Sequence, residues 1–345
     1  MLGIIIIDMR SNSILLKVFT LLFFSLLSMN STFQAEEKKI PSKCLYPVSI
    51  DNKKGFIDQK GVLKIKPQYE KAIIFCNNRG RIKLRNKYGF IDKTGNIVID
   101  AKFDQASSFA EGLSVVTMNN KKGYINKNGR VVIPFKYIKA SIFSEGYAAV
   151  KDNENDKYYY IDKTGNDIFK KTFDIAFDFS EGLALVRNNG KFGFINTKGE
   201  LVIKYRFMLA ESFSNGMAPV YEDGKWSTVD RDGNYIIEPT TEYDSIGMFN
   251  EGLAPISIKS KSGFIDRKGS IKIKPAYDRV FRFSEGLSSV DKDNKFGFID
   301  KEGRTVIKHK YDIATPFVNG LSIVLVDGKS GYINKNGEYV WLPSR

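Results

Sequence analysis

The sequence predicts an all-β fold built from tandem copies of a short β-meander, on three observations. Gly-Phe-Ile-Asp, or a close variant, returns at nearly constant spacing along the 345 residues. A second phrase, Phe-x-Glu/Asn-Gly, keeps phase with the first. The 26 Phe, 17 Tyr and 29 Gly fall in short runs without an apolar 3.6-residue period outside the N-terminal region, a pattern of strands and tight turns rather than helices.

Residues 1–35 are a different kind of sequence. Arg10 and Lys17 precede a 12-residue apolar run, Val18 to Met29, of the length of a signal-peptide core and short for a membrane span. Cleavage after Ala35 would release a chain starting Glu36-Glu37-Lys38-Lys39. The expectation is therefore a signal peptide at 1–35 and an exported protein, in the periplasm or at the cell surface or outside. No later segment is apolar enough to span a membrane.

Residues 36–54 read as an N-terminal cap and first strand. Nine repeats then occupy 55–345, starting near 55, 89, 123, 159, 193, 227, 263, 297 and 331, with spacings of 34 except for two of 36. Tyr159-Tyr160-Ile161-Asp162 and Ser227-Thr228-Val229-Asp230 are the degenerate starts. A third anchor, an aromatic often followed by Asp, stands 14 residues after the first Gly, as at Tyr69, Phe103, Tyr137 and Tyr311. Tyr243 comes two residues late, so one insertion lies near Pro239-Thr240-Thr241, and the other lies in the polar stretch Asp152 to Lys157. Both read as loops.

Within a unit, residues 113–118, 123–126 and 130–133 read as three strands joined by turns, and Lys127-Asn128-Gly129 supplies the positive φ of a tight hairpin. The aromatic-Asp step adds a brief fourth strand. Strands of four to six residues cannot bury their apolar groups alone, but stacked neighbours can. The aromatic after the first Gly and the Phe before Glu-Gly are the expected inter-repeat core.

The phrase Gly-Lys-Phe-Gly-Phe-Ile-Asn-Thr-Lys-Gly at 190–199, followed by Leu201-Val202-Ile203, resembles the bacterial WG-repeat (KWG) proteins, and so does Phe283-Ser284-Glu285-Gly286-Leu287. The resemblance spans roughly residues 45–342. The namesake Trp is replaced by Tyr88, Phe192 and Phe296, while Trp226 keeps the Trp and is followed by Ser227. An aromatic wedge survives each change. The resemblance implies architecture more than activity. The family's varying repeat number favours an open solenoid, and nine copies exceed the usual 4–8 propeller blades. A propeller-like closure is the alternative.

The chain offers little for chemistry. Asp58, Asp92, Asp162, Asp230, Asp266 and Asp300 recur in one setting, and Glu111, Glu145, Glu181, Glu251 and Glu285 in another. A catalytic pair needs acids in unlike environments. Asn stands in for both acids, which points to turn capping. The single His309, in Lys308-His309-Lys310, reads as exposed and has no triad or zinc partners. No enzyme activity, metal or cofactor is expected. Cys44 and Cys76 sit at matching points of consecutive units, and two readings stay open: a disulfide, or two separate buried thiols.

Charge is uneven. The net charge is +14, and residues 36–89 alone hold 14 Lys/Arg against 5 Asp/Glu. Arg81, Lys83 and Arg85 alternate, so in a strand they share a face, and Lys64 and Lys66 do the same one strand earlier. Set against Leu113 and Val115 of the next copy, this makes basic a face that is otherwise apolar. One reading is a capping repeat with a polar outer face. The other is an anion-binding patch of Lys64, Lys66, Arg81, Lys83, Arg85 and Lys87. The expected function is an exported, non-catalytic scaffold for protein or polysaccharide interaction at the cell envelope. The alternative is a binder of an envelope polyanion (lipopolysaccharide, acidic glycan or nucleic acid), with nucleic acid disfavoured for an exported chain.

Overall fold

The computed structural model describes residues 44–344. The signal-peptide segment and residues 36–43 lie outside that range. Nine antiparallel sheets follow one another. The first holds β1 (Tyr46–Ile50), β2 (Lys53–Ile57) and β3 (Leu63–Tyr69). The second holds β4 (Lys71–Ala72), β5 (Gly80–Leu84), β6 (Lys87–Ile91) and β7 (Ile97–Phe103), hydrogen-bonded in chain order. The third repeats the plan with β8 (Gln105–Ala106), β9 (Leu113–Met118), β10 (Lys121–Asn126) and β11 (Val131–Tyr137). The fourth has three strands, β12 (Lys139–Ala140), β13 (Ala148–Lys151) and β14 (Tyr159–Ile161). The remaining five, at 175–207, 209–240, 245–277, 279–311 and 313–344, are again four-stranded. The brief fourth strand is thus the two-residue element opening most sheets, directly after the aromatic-Asp step.

Sequence repeat and sheet are out of phase. A unit counted from Gly55 or Gly89 contains the last two strands of one sheet and the first two of the next. The two insertions fall between strands, one in the turn of the fourth sheet at 152–157 and one after the strand Tyr235–Thr240. The second bulges so that Tyr243 is still buried and donates from Oη to the Gly269 carbonyl at 3.0 Å, as Tyr69 does to Gly95 at 3.2 Å.

Middle strands such as β9 are buried on both faces, which is why they lack a polar alternation, whereas outer strands such as β11 alternate between buried and exposed residues. In Gly-Phe-Ile the aromatic and the Ile point opposite ways. Phe56 packs forward on Phe75 of the second sheet, while Ile57 packs backward on Leu321 and Tyr332 of the ninth. The anticipated aromatic pair recurs: ring centroids are 4.8 Å apart for Phe90–Phe109, Phe194–Phe213, Phe264–Phe283 and Phe298–Phe317. Burying such a ring contributes about 1.5–3 kcal/mol. The glycine between the flanking strands has a steric reason: a Cβ on Gly89 would stand 2.7 Å from both the Ala101 nitrogen and the Ile99 oxygen of β7.

The sheets close into a nine-bladed β-propeller, which corrects the favoured open solenoid and agrees with the alternative. An open array of nine has eight gaps, yet among the described residues nine apolar clusters are present, one per gap of a closed ring. The ninth joins Tyr46, Val48 and Ile57 to Leu321 and Tyr332. Tyr46 Oη donates to the Asn319 carbonyl at 2.7 Å and Tyr332 Oη to the Pro47 carbonyl at 2.9 Å. Gln59 Nε2 reaches the Asn319 carbonyl at 3.0 Å, the place where Lys335 meets the Glu285 carbonyl one gap earlier at 2.8 Å. The seam therefore repeats the geometry of an internal gap.

Candidate functional site

The recurring polar residues form two circumferential belts. Phe-x-Glu-Gly is a two-residue hairpin turn with both central residues at positive φ: +51° for Glu251 and +86° for Gly252. The Glu carboxylate reaches the next sheet. Glu145 accepts from Gly182 N at 2.8 Å, Glu181 from Asn215 N and Gly216 N at 2.7 and 2.8 Å, and Glu251 from Gly286 N at 3.0 Å. Lys163, Lys301 and Lys335 add ion pairs to Glu111, Glu251 and Glu285 at 2.9–3.2 Å. The neighbouring hydroxyls run the same way: Ser144, Ser180, Ser214 and Ser284 donate to the Phe179, Phe213, Phe249 and Phe317 carbonyls at 2.7–2.8 Å.

The second belt uses the Asp after the aromatic. Asp174 and Asp312 accept from the turn amides of Asn189 and Asp327 at 2.8 and 2.7 Å, and pair with Lys157 and Lys295 at 2.9 and 2.6 Å. The Asp of Gly-Phe-Ile-Asp caps its own turn: Asp92 Oδ1 accepts from Thr94 N at 2.9 Å and Asn96 N at 3.0 Å. The Thr94 hydroxyl, at 2.7 Å, is the main reason the Asp92 carboxyl lies below the usual range, with the two amides adding to it against a smaller desolvation effect. Capping therefore describes these Asp residues, whereas the Glu residues bridge sheets. Asn replaces Glu at 215 and 319 for a different reason, its tolerance of positive φ (+56° and +51°).

The basic patch divides. Lys64 pairs with Asp58 at 3.1 Å, Lys87 pairs with Asp104, and Lys66 is exposed on β3. Arg85 is not in the strand: it sits at φ +49° in the turn after β5. Arg81 and Lys83 do share a face of β5, each 5.7 Å from the centre of the Tyr88 ring. Their counterparts need correction. Arg81 pairs with Phe90 as Val115 pairs with Tyr124, and Lys83 pairs with Tyr88 as Thr117 pairs with Lys122, so they match Val115 and Thr117 rather than Leu113 and Val115. At the Arg81 register the other sheets carry Pro47, Val115, Ala149, Leu185, Pro219, Pro255, Ser289 and Ile323. Arg81 donates to the Ala106 carbonyl, as Ser289 does to Ala314 at 2.7 Å, and burial pulls its guanidinium below the usual value.

An open cleft of ≈ 180 Å³ lies beside Arg81, lined by Lys54, Lys71, Ala72, Ile73 and Tyr88. Lys54 and Lys71 were not picked out from the sequence. The signal would have been the register that sets Lys71 opposite Lys83, which spacing alone does not give. Cys44 and Cys76 are joined as a disulfide between the first two sheets. Cys76 holds the place that Ser144 or Ser180 takes elsewhere, and Asn319 Nδ2 lies 3.2 Å from its sulfur. His309, expected to be exposed, is half-buried and stacked on Tyr277 with centroids 6.2 Å apart, and burial lowers its pKa.

The model of the WG containing repeat matches eight times, at 55–88, 88–121, 123–158, 160–192, 192–226, 228–261, 263–296 and 296–329. The chain belongs to the WG-repeat family. Every matched WG repeat straddles two sheets, as the phase offset requires. No curated protein matches. Among solved structures, a eukaryotic initiation factor is similar with a TM-score of 0.61 at 10% identity, over 86% of this chain and 94% of that one. The dihydro-heme d1 dehydrogenase NirN (TM-score 0.46, 10% identity, 81% and 76% covered) and a streptogramin B lyase (0.35, 14%, 67% and 89%) also match. At such identities the first likeness shows the propeller fold alone, and the other two carry no argument. The WG-repeat protein is thus a β-repeat scaffold.

Proposed function

We propose that this WG-repeat propeller is an exported, non-catalytic scaffold that presents its ring to a protein or polysaccharide of the cell envelope. The supporting observation is where the recurring chemistry goes. The repeated Glu, Asp and Ser side chains engage the backbone of neighbouring turns and sheets, so acids that look like a multiplied active site hold the ring together. A framework of this kind leaves the residues that differ between sheets free to specify a partner. The basic N-terminal region and the apolar segment before it are the sequence features that support an envelope location.

The test is made on the full chain expressed in bacteria. Recovery outside the cytoplasm, with an N-terminus at Glu36 by mass spectrometry, and retention of the purified ring on peptidoglycan or on a defined envelope protein in physiological salt, is the expected result. Uncleaved protein in the cytoplasm, or reproducible turnover that survives repurification, would sink the proposal.

A further inference from the structure

We infer that the propeller carries a repeated anion-binding cleft, and that its ligand is an acidic polysaccharide. The first cleft is lined by Lys54, Lys71, Arg81 and Tyr88, and Lys83, which pairs with Lys71 across β4 and β5, lies beside the same Tyr88 ring. None of these four cations forms an ion pair among the described residues. Among the described residues Lys54 Nζ donates only to Ser49 Oγ, at 2.9 Å, and Arg81 keeps further N–H groups beyond the Ala106 contact.

Three of the four cations and the aromatic recur two sheets on, with Ala149 at the Arg81 register. Lys122, Lys139 and Lys151 occupy the registers of Lys54, Lys71 and Lys83, and Tyr158 that of Tyr88. Lys122 donates to Thr117 Oγ1 at 3.2 Å just as Lys54 does to Ser49, and Lys151 lies 5.7 Å from the Tyr158 ring centre. Sheet 8 shows the neutral version of this register: Arg279 pairs with Asp291 at 2.6 Å where Lys71 faces Lys83. The fold therefore accepts an opposite charge at this point, and sheets 2 and 4 hold like charges instead.

Closure of the ring removes the competing explanation. A polar capping face is needed only where an array ends, and sheet 2 has neighbours on both sides. Two lysine clusters at matching registers favour a polymer with repeated charge over a single small anion, because linked anionic groups gain from each additional site. Single-stranded nucleic acid fits less well: each cleft has one aromatic ring, whose neighbourhood is already taken by cations, and so offers no stacking platform for bases.

This inference deepens the scaffold proposal by naming a ligand class, and it is independent of export. Purified protein is titrated with polygalacturonate, dextran sulfate, neutral dextran and a single-stranded oligonucleotide at low and physiological salt. The acidic polysaccharides should bind with strong salt dependence, and dextran should not. Lys71→Gln with Lys83→Gln, and Lys139→Gln with Lys151→Gln, should each weaken binding about tenfold or more, and all four should abolish it. Lys83→Asp, which copies the Arg279–Asp291 pair, should fold normally and also lose binding at the first cleft. Absence of binding to either acidic polysaccharide, binding unchanged in the four-fold variant or in a folded Lys83→Asp protein, or tighter binding of the oligonucleotide would overturn it. Export and protein retention with no polysaccharide binding would leave the scaffold proposal standing and this one refuted.

Discussion

At Glu251 the backbone sits at φ +51°, a conformation that costs an L-residue roughly 1–2 kcal/mol, yet the same acid recurs around the ring. What offsets the strain is the charge-assisted bond to Gly286 N in the next sheet, of the kind that contributes about 1.5–3 kcal/mol. Alanine at 251 would keep the strain and lose the bond; glycine would lose both. Thermal or urea unfolding should therefore find Glu251→Ala destabilised by about 1.5–3 kcal/mol and Glu251→Gly by about 1 kcal/mol less. Equal losses would mean that the turn is not strained. At this scale the sequence was legible for the aromatics and the Asp caps, because both act within a fixed local spacing. It was not legible for Glu251, whose partner lies 35 residues away.

Among the elements, β9 of the third sheet was readable to the residue, whereas β10 starts two residues before the expected 123 and β11 runs on to Tyr137, four past the expected end, because turn glycines mark the hairpin and nothing so local marks the outer ends. Register was not readable. Arg81 was matched to the wrong residue because hairpin pairing, rather than distance along the repeat, decides which side chains are equivalent. The first sheet has three strands among the described residues, and the Cys44–Cys76 disulfide ties it to the second. Closing a loop of 32 residues restrains the unfolded chain by about 3–4 kcal/mol on the chain-entropy account. Reduction, or Cys44→Ala, should lower Tm, with amide exchange rising first in 46–69 and at its partners in 321–341. Uniform loosening of all nine sheets, or no change in Tm, would show that the bond does not secure the first sheet.

For the whole molecule, open array and closed ring share every local contact within a gap, so nothing in one repeat tells them apart. What separates them is the ninth gap, where Tyr46, Gln59 and Asn319 meet from opposite ends of the chain. The titration of the ring is also a property of the whole. Asp58, Asp92, Asp162, Asp230, Asp266 and Asp300 all lie below their usual 3.8 when folded, so the stability they confer is present above that value and lost as pH falls through their lowered ones. Glu211 acts oppositely. Its accessible area is only partly lost, but protein surrounds it on most sides, and that desolvation pushes it up to about 7. A raised carboxyl weakens the fold when ionised. His309, lowered by burial, opposes this as it protonates, so the effect of Glu211 is read as a difference: from pH 7 to pH 5 the Tm of Glu211→Gln should fall relative to that of the unsubstituted protein, and both should drop below about pH 4. Parallel Tm curves from pH 7 to pH 5 would contradict the assignment.

The half-sheet offset between repeat and blade bears on how such chains change length. A recombination crossover between two Gly-Phe-Ile-Asp coding segments removes or adds two strands of one blade and two of the next, and the cut ends rejoin as a complete blade. Gene-level slippage can then alter blade number without leaving a broken sheet at the junction. Ring size becomes an integer that replication errors can step up or down, and the contacts across the seam decide which integers persist.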